Sequence, residues 1–245
     1  MPGRLILKQN SFEAQAGESI GICGPTGAGK STIINILTRY YDIDSGVILI
    51  DGQDLKTLTR KSLRSQIGAV LQEAFLFTDT VMNNLKYARA GATDDECIEA
   101  AKQANAHEFI EHLPQGYDTL LVERGANLSQ GQRQMITIAR AMVADPKIMI
   151  LDEATSNVDT RTEKLIQDGL RRLMEGKTGF SIAHRLSTIR HSSRIMVVNG
   201  GKIAEMASHD DLMAEKGFYY SLYMSQFKGA APGGMEEVAL TFEST

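Results

Sequence analysis

One segment constrains this chain more than any other, the run Gly24-Pro25-Thr26-Gly27-Ala28-Gly29-Lys30-Ser31-Thr32, because it fits the phosphate-binding pattern G-x-x-x-x-G-K-[ST]. We call residues 24–32 the P-loop. Its flanks have the expected character: Ser19 to Cys23 predicts a short strand, and Lys30 to Tyr41 predicts a helix with one apolar face. Glycines let successive N–H groups face one anion, and the helix N-terminus adds its positive dipole. A glycine-rich turn that only opens a helix is the alternative, which the ordered combination disfavours.

The lysine and the serine of the P-loop have predicted roles in nucleotide binding. Lys30 is expected to reach the β- and γ-phosphates, and the Ser31 hydroxyl to bind magnesium. An apolar run from Ile148 to Leu151 then predicts a buried strand that ends in two acids. Asp152 is predicted to hold the magnesium shell, and Glu153 to orient or deprotonate an attacking water. Two solvated acids at the start of a loop are the alternative.

A third motif is Leu128-Ser129-Gln130-Gly131-Gln132. Ser129 and Gln132 satisfy [ST]-x-x-[EQ], the capping box that begins a helix, here over residues 130–143. A good helix start and nothing more is one interpretation. The other is a second anion site, made by the Ser129 hydroxyl and the bare backbone at Gly131. Two copies facing each other could each donate this helix start to the other's nucleotide.

Composition limits the classes of partner. The 245 residues carry a net charge of −4, so no overall basic field favours nucleic acid or an acidic membrane surface. Cys23 and Cys97, the two cysteines, lack metal-like spacing, which is typical of proteins in a reducing cytosol. The sequence lacks an apolar run long enough for a membrane helix and lacks a signal-peptide core. We therefore expect any membrane connection to run through a partner or through a segment outside this chain.

Strands alternate with helices along the chain, which predicts an α/β fold with a mainly parallel sheet and a helical insertion. Residues 5–7 and 11–14 predict short strand pieces, and residues 210–226 predict a terminal helical region. The run Asn199-Gly200-Gly201 between two apolar runs predicts a hairpin. We divide the chain into four parts: a first core part (1–79), a helical subdomain (80–145), a second core part with C-terminal helices (146–228) and a flexible tail (229–245).

From about Leu5 to Gln226 the ordered motifs resemble the nucleotide-binding domain of ATP-binding cassette (ABC) transporters of the exporter type. The resemblance implies a P-loop NTPase with a RecA-like, mainly parallel sheet core, a helical signature subdomain and a small antiparallel β part. The matching segments are 24–32 (Walker A), Gln72 (Q-loop), 128–132 (signature), 148–152 (Walker B), Glu153 (catalytic carboxylate), 156–159 (D-loop) and 183–188 (switch histidine).

This resemblance implies an ATPase that uses ATP and Mg²⁺ and energises export through a separate transmembrane domain. It assigns Glu153, His184 and Gln72 to catalysis, although a lone histidine is more often structural. Magnesium falls to Ser31, Gln72 and Asp152. The nucleotide-binding set is Gly24, Pro25, Thr26, Gly27, Ala28, Gly29, Lys30, Ser31, Thr32, Ser129, Gly131, Gln132 and Asp159. The implied partners are a second nucleotide-binding domain, identical or different, and the transmembrane domain, with no nucleic acid. The implied location is the cytoplasmic face of the cell membrane.

The chain departs from the family pattern in three places. Gln130 stands where glycine is usual, which resembles one subunit of bacterial heterodimeric exporters. The loop Thr119 to Gly125 lacks the first acid and the first glycine of the exporter sequence, which puts its role in cross-talk in doubt. Phe12 is the only aromatic residue before the P-loop, and its surroundings fit a core strand. We therefore expect the adenine-stacking aromatic and the first strand to lie before Met1, which leaves the antiparallel β part truncated.

Two other classes of function remain open from the sequence. A soluble ABC-type ATPase could act on nucleic acid or ribosomes, but the stretch between Walker A and signature is short and lacks heptads, and the chain has one cassette. The other class is a nucleotide sensor that does not hydrolyse ATP, and the presence of Glu153 and His184 argues against it.

Overall fold

A six-stranded sheet is the frame on which the rest of the chain is arranged, with strand order β4-β5-β6-β1-β7-β8. The computed structural model describes residues 5–152, 158–183 and 186–228. The strands are β1 (Ser19–Cys23), β2 (Leu49–Ile50), β3 (Gln53–Asp54), β4 (Ile67–Val70), β5 (Ile148–Asp152), β6 (Thr178–Ile182), β7 (Arg194–Asn199) and β8 (Lys202–Ala207). All neighbours in the large sheet are parallel except β7 and β8, and β2 pairs with β3 in a separate antiparallel ribbon. The predicted α/β fold with a mainly parallel sheet and a small antiparallel part is confirmed.

Helices cover the sheet and form the insertion. They are α1 (Lys30–Leu37), α2 (Arg60–Ser65), α3 (Val81–Lys86), α4 (Asp94–Gln103), α5 (His107–Glu111), α6 (Gln130–Ala144), α7 (Thr160–Met174), α8 (Leu186–Ile189), α9 (His209–Glu215) and α10 (Phe218–Lys228). Two 3₁₀ turns lie at Gly116–Asp118 and Glu123–Gly125. Among the residues that the structure describes, no helix combines the length and apolar character that crossing a bilayer requires.

Two hydrophobic clusters lie on opposite faces of the sheet. Met149 of β5 belongs to the helical cluster and its neighbour Ile150 to the sheet cluster, because successive side chains of a strand point to opposite faces. The helical cluster contains Leu85, Ala101, Ile110, Leu128, Ile136, Ile138, Met149 and Ile166, among others. The sheet cluster contains Ile20, Ile22, Ala28, Ile33, Ile34, Ile150, Phe180, Ile182, Met196 and Val198. The P-loop helix and the helical insertion are therefore anchored in different clusters.

Some local expectations were wrong. The helix that begins at Lys30 ends at Leu37 rather than at Tyr41, because Arg39 has φ 54° and turns the chain away. Tyr40 consequently lies outside the apolar face and is 64% exposed. The predicted C-terminal helices are present as α9 and α10, and Lys216, which has φ 53°, separates them.

The two short strands predicted near the start, residues 5–7 and 11–14, are not strands. Gln9 interrupts the segment with φ 49°, and the backbone of Lys8 instead bonds to Gly201 at the β7–β8 turn. The predicted flexible tail, residues 229–245, lies outside the described residues.

Candidate functional site

The P-loop joins the C-terminal end of the central strand β1 to the first turn of α1. Gly24, Gly27 and Gly29 have φ of 139°, 78° and 110°, a region that glycine adopts readily and other residues rarely. A Cβ on Gly24 would lie 2.0 Å from the carbonyl oxygen of Val198, and one on Gly29 would lie 2.9 Å from Leu7 Cδ2. The loop therefore needs glycine at two positions both for its backbone angles and for the close approach of neighbouring chain.

Lys30 is the buried cation of this loop. Its side chain is 8% exposed, and Nζ donates to the carbonyl oxygens of Gly24 at 2.8 Å and Pro25 at 3.0 Å. Burial lowers the pKa of Lys30, while Cys23 and Asp152 oppose that shift. The same burial raises the pKa of the Cys23 thiol to about 12, which makes it an inert core group at neutral pH. Lys30 is thus fixed inside the loop, electrostatically coupled to Asp152.

The first turn of α1 has donors that fit a phosphate. Gly29 at the N-cap offers no side-chain hydrogen bond to the helix, whereas Thr59 caps α2 and Thr80 caps α3. An anion placed there would meet uncapped N–H groups and the positive end of the helix dipole. Ser31 is exposed on this turn. The loop glycines, the buried ammonium and the uncapped helix together fit the triphosphate of a nucleotide.

Asp152 lies at the same edge of the sheet as the P-loop. It is the last residue of β5, in register with Ile182 of β6, and Ile182 is in turn aligned with Ile22 of β1. Parallel strands bring their carboxyl ends to one edge, so Asp152 and the P-loop share it. A carboxylate and the Ser31 hydroxyl are oxygen donors of the kind Mg²⁺ accepts. Glu153 and His184, which the sequence predicts to be catalytic, lie outside the described residues.

The β7–β8 turn braces the P-loop, a contact that the sequence did not indicate. The amide of Gly201 donates to the carbonyl oxygen of Ala28 at 3.0 Å. The carbonyl oxygen of Gly201 accepts from Lys8 N at 2.8 Å and from Asn10 Nδ2 at 2.9 Å. Asn10 Oδ1 also accepts from Ile203 N at 2.7 Å. Both backbone polar groups of Gly201 are therefore hydrogen-bonded, and its N–H bonds to the P-loop.

The capping box at the start of α6 is confirmed. Gln132 N donates to Ser129 Oγ at 3.2 Å, and Ser129 N donates to Gln132 Oε1 at 2.9 Å. Close packing also requires glycine at position 131, which the sequence motif did not indicate. A Cβ there would lie 2.3 Å from Thr162 Cγ2 and 3.3 Å from Val158 Cγ1. This glycine lets α6 and α7 pack closely. Ser129 itself is exposed at the helix start.

Asp159 caps α7 beside this contact. Its Oδ1 accepts from Thr162 N at 3.1 Å, and hydrogen bonding to Thr162 holds the pKa of Asp159 below its usual range. The carboxylate therefore serves the helix start, while the neighbouring residues 153–157 lie outside the described residues. Asp159, Thr162 and Gly131 form one continuous contact from α7 to the signature motif.

The signature motif and the P-loop belong to different parts of the chain. Leu128, at the start of the signature, lies in the helical cluster, and Ala28 of the P-loop lies in the sheet cluster. Within the described ranges, no hydrogen bond or ion pair joins Ser129 or Gln132 to the P-loop. One copy of the chain keeps these two predicted phosphate-binding elements apart.

Gln72 is exposed and lies on a segment that leaves β4 and runs along α6, residues 71–77, which we call the Gln72 segment. A groove of about 340 Å³ lies beside it. Its lining includes Leu71, Glu73, Phe75, Tyr87, Thr137 and Arg140. Leu71, Phe75 and Tyr87 are 53%, 52% and 68% exposed, so the groove presents apolar and aromatic surface at its rim.

The chain is similar in sequence to known proteins over most of its length. Residues 7–156 match the family described as ABC transporter. The ABC transporter ATP-binding protein YfiC of Bacillus subtilis is 55% identical over 226 residues, 92% of this chain and 37% of its own length. A fatty acid ABC transporter ATP-binding/permease protein of Mycobacterium bovis is 49% identical over 222 residues, covering 91% of this chain and 35% of its own.

Among solved structures, that of a bacterial Atm1-family ABC exporter with ATP bound matches with a TM-score of 0.86 and 47% identity. The match covers 95% of this chain and 40% of that chain. The chain thus spans little more than a third of the length of the curated relatives.

Proposed function

The chain belongs to the ABC transporter family, and we propose that it is the domain of an exporter that binds and hydrolyses ATP to drive transport. The observation that carries this proposal is the P-loop geometry, with buried Lys30 among the loop carbonyls and coupled to Asp152 at one sheet edge. A buried cation beside uncapped helix N–H groups favours a ligand with clustered negative charge. The similar Atm1-family ABC exporter, solved with ATP bound, supports ATP as that ligand.

Each side chain at this edge has a proposed role. Bound ATP and Mg²⁺ supply the γ-phosphoryl group and the charge neutralisation that its transfer to water requires. Lys30 and the loop N–H groups hold the phosphates, and Ser31 and Asp152 hold the metal. Glu153 orients or deprotonates the attacking water, and His184 donates a hydrogen bond to the γ-phosphate. Gln72 would contribute its side-chain amide oxygen to the metal and help to orient the attacking water.

The remaining nucleotide contacts come from a second domain of the same kind, identical or different. The exposed Ser129 start of α6 is separated from the P-loop of its own chain, which supports its use on a partner's nucleotide. Gln132 keeps that helix start ordered through the capping box, and Gly131 and Asp159 hold it against α7. ATP then joins the two domains, and its hydrolysis releases them.

We further propose that the groove beside the Gln72 segment receives the transmembrane domain of the exporter. An apolar segment of the partner would cover the exposed aromatic side chains of Phe75 and Tyr87, which line the groove. The groove is also lined by Leu71 and Glu73, the two neighbours of Gln72 in the chain. The name of the Mycobacterium bovis relative joins ATP binding and permease in one protein, which supports such a partner. We also propose that the domain lies at the cytoplasmic face of the membrane, with residues 1–79 and 146–228 as core and 80–145 as helical subdomain.

The test is ATP turnover by the chain and by Glu153→Gln. We expect the substitution to slow hydrolysis by about 10² or more while ATP affinity is retained, because it removes the water-orienting carboxylate and leaves the phosphate cradle. Glu99→Gln, an exposed substitution on α4, is the matched control. Turnover by Glu153→Gln at the parent rate would show that the carboxylate is misassigned, and absence of ATP binding by the parent chain would overturn the function.

A further inference from the structure

The helix that begins at the signature motif also grips the Gln72 segment at two points. Gln134 Nε2 donates to the carbonyl oxygen of Leu71 at 3.4 Å, and Arg140 Nη1 donates to the carbonyl oxygen of Phe75 at 3.0 Å. These acceptors lie on either side of Gln72. The two donors lie six residues apart on α6, roughly 9 Å along its axis. One rigid helix therefore spans the stretch of chain that carries Gln72.

A buried asparagine gives Arg140 a second connection to the segment. Arg140 Nε donates to Asn84 O at 2.9 Å, and Nη2 donates to Asn84 Oδ1 at 2.6 Å. Asn84, which is 1% exposed, accepts from Phe77 N at 2.9 Å and donates to Phe77 O at 3.0 Å. Both polar backbone groups of Phe77 are therefore fixed to a side chain that Arg140 holds.

Apolar burial contributes little to the position of the residues nearest Gln72. Leu71 and Phe75 are more than half exposed, whereas Val70 and Leu76, which flank residues 71–75, are 0% exposed. The polar contacts to α6 therefore help to fix the chain between these two buried residues. In contrast, Gln134 is 2% exposed, so its amide is held rigidly by the helical cluster around it.

The environment of Arg140 indicates that its guanidinium is dedicated to this task. Burial lowers the pKa of Arg140, and its guanidinium lies 5.3 Å from the centre of the Phe77 ring. Among the described residues it makes no ion pair, and its donors go instead to oxygens of Phe75 and Asn84. A planar fork with fixed donors suits this arrangement better than a lysine would.

We infer that Gln134 and Arg140 are positioning residues that tie Gln72 to the signature helix. A displacement of α6 relative to the sheet would carry Gln72 with it, so that the two predicted nucleotide contacts move together. The inference rests on the proposed function, because that function assigns Gln72 and the start of α6 to the nucleotide. It extends that function by linking the site to the groove, whose wall includes Leu71, Phe75 and Arg140.

Hydrogen exchange on the 245-residue chain tests this link without relying on activity. In Arg140→Met and in Gln134→Met, exchange of residues 72–77 is expected to rise about tenfold, while β1 and β6 exchange as in the parent. Arg140→Lys keeps the charge but not the three-way fork, so its exchange should stay close to that of Arg140→Met. Arg133→Met is the matched control, since Arg133 donates to Leu128 O at 2.6 Å on the same helix but not to the Gln72 segment.

The kinetic readout separates positioning from binding. Arg140→Met and Gln134→Met are each expected to lower kcat about tenfold, with KM for ATP within about twofold of the parent value, because the P-loop is unchanged. Unchanged exchange at residues 72–77 in Gln134→Met and Arg140→Met, or equal acceleration there in Arg133→Met, would overturn the inference. If Arg140→Met unfolds, which exchange in β1 reveals, Gln134→Met alone decides. Failure of the proposed function would instead appear as loss of ATP binding by the parent chain, with the exchange result intact.

Discussion

Gly201 N donates a hydrogen bond to Ala28 O at 3.0 Å, which attaches the turn of the β7–β8 hairpin to the middle of the P-loop. The same hairpin places the carbonyl oxygen of Val198 where a side chain at Gly24 would stand. The phosphate-binding loop is thus shaped from two sides, by its own glycines and by an antiparallel edge that follows much later in the sequence.

This close approach predicts that Gly24→Ala destabilises the protein strongly. The new Cβ would lie 2.0 Å from Val198 O at φ 139°, so backbone strain and overpacking combine, and we expect a loss of about 2–4 kcal/mol in the free energy of unfolding. Gly27→Ala is the control, because nothing lies within 4 Å of its Cβ and only the positive φ opposes it. Urea unfolding of both variants measures the difference, and equal losses would refute the packing argument.

Replacing Lys30 should separate binding from stability. Lys30→Met keeps the length of the side chain but removes the ammonium, so we expect ATP affinity to fall about 100-fold or more. Burial already lowers the pKa of Lys30, which means that the charged form is held at a cost in desolvation. The substitution removes this cost but also the hydrogen bonds to Gly24 O and Pro25 O, so the free energy of unfolding should change by no more than about 1 kcal/mol. Nucleotide titration and urea unfolding test the pair of outcomes, with exposed Lys147→Met as control, and retained affinity would contradict the role of Lys30.

The ion pair between Glu18 and Arg194 should make stability depend on pH. Arg194 lowers the pKa of Glu18 against the effect of burial, and Nη2 of Arg194 donates to Glu18 Oε2 at 2.9 Å. A carboxyl with a depressed folded pKa stabilises the fold above its unfolded pKa and loses that contribution as pH falls through the folded value. Glu18→Gln should therefore cost about 1 kcal/mol at neutral pH.

The difference between Glu18→Gln and the parent should shrink below about pH 4 and disappear once both forms carry a neutral side chain. Urea unfolding at a series of pH values follows it, with Glu108→Gln as the exposed control. A difference that persisted at low pH would mean that Glu18 acts through packing and not through its charge.

The shared site predicts a dependence on protein concentration. If two chains complete each nucleotide site, the rate per chain should rise with concentration, and the isolated chain should be mostly monomeric and slow. Sedimentation of Glu153→Gln with ATP and magnesium should show a shift towards a dimer, alone or with a candidate partner domain. Glu153→Gln combined with Lys30→Met should stay monomeric. Full activity per chain from a species that remains monomeric would exclude the shared site.

Local signals in the sequence predicted the parts of the site that local chemistry determines. The P-loop, the strand ending at Asp152 and the capping box of Ser129 and Gln132 all depend on residues a few positions apart, and the structure has them in the predicted form. The bounds of α1 were wrong because the left-handed residue at Arg39 leaves no clear trace in the periodicity of the sequence.

The contacts that brace the site could not be predicted in this way. Asn10 bonds to Gly201 across 191 residues, Gln134 bonds to Leu71 across 63, and Arg140 bonds to Phe75 across 65. Hydrogen bonds between distant segments depend on the final packing of the elements, which no local pattern encodes. Gly131 shows the same limit, because its packing against Thr162 was not visible in a motif associated with phosphate binding.

The braced P-loop has a consequence for the synthesis of the protein. Its own residues leave the ribosome well before the hairpin that supports it, and Asn10 pairs with Ile203 across 193 residues. Until that hairpin has emerged, the loop lacks both the hydrogen bond from Gly201 N and the packing of Val198 O against Gly24. Contacts of such long range form slowly, since the intervening chain must first be closed into a loop. The nascent chain therefore acquires a competent phosphate site only when nearly all of the sheet has been made.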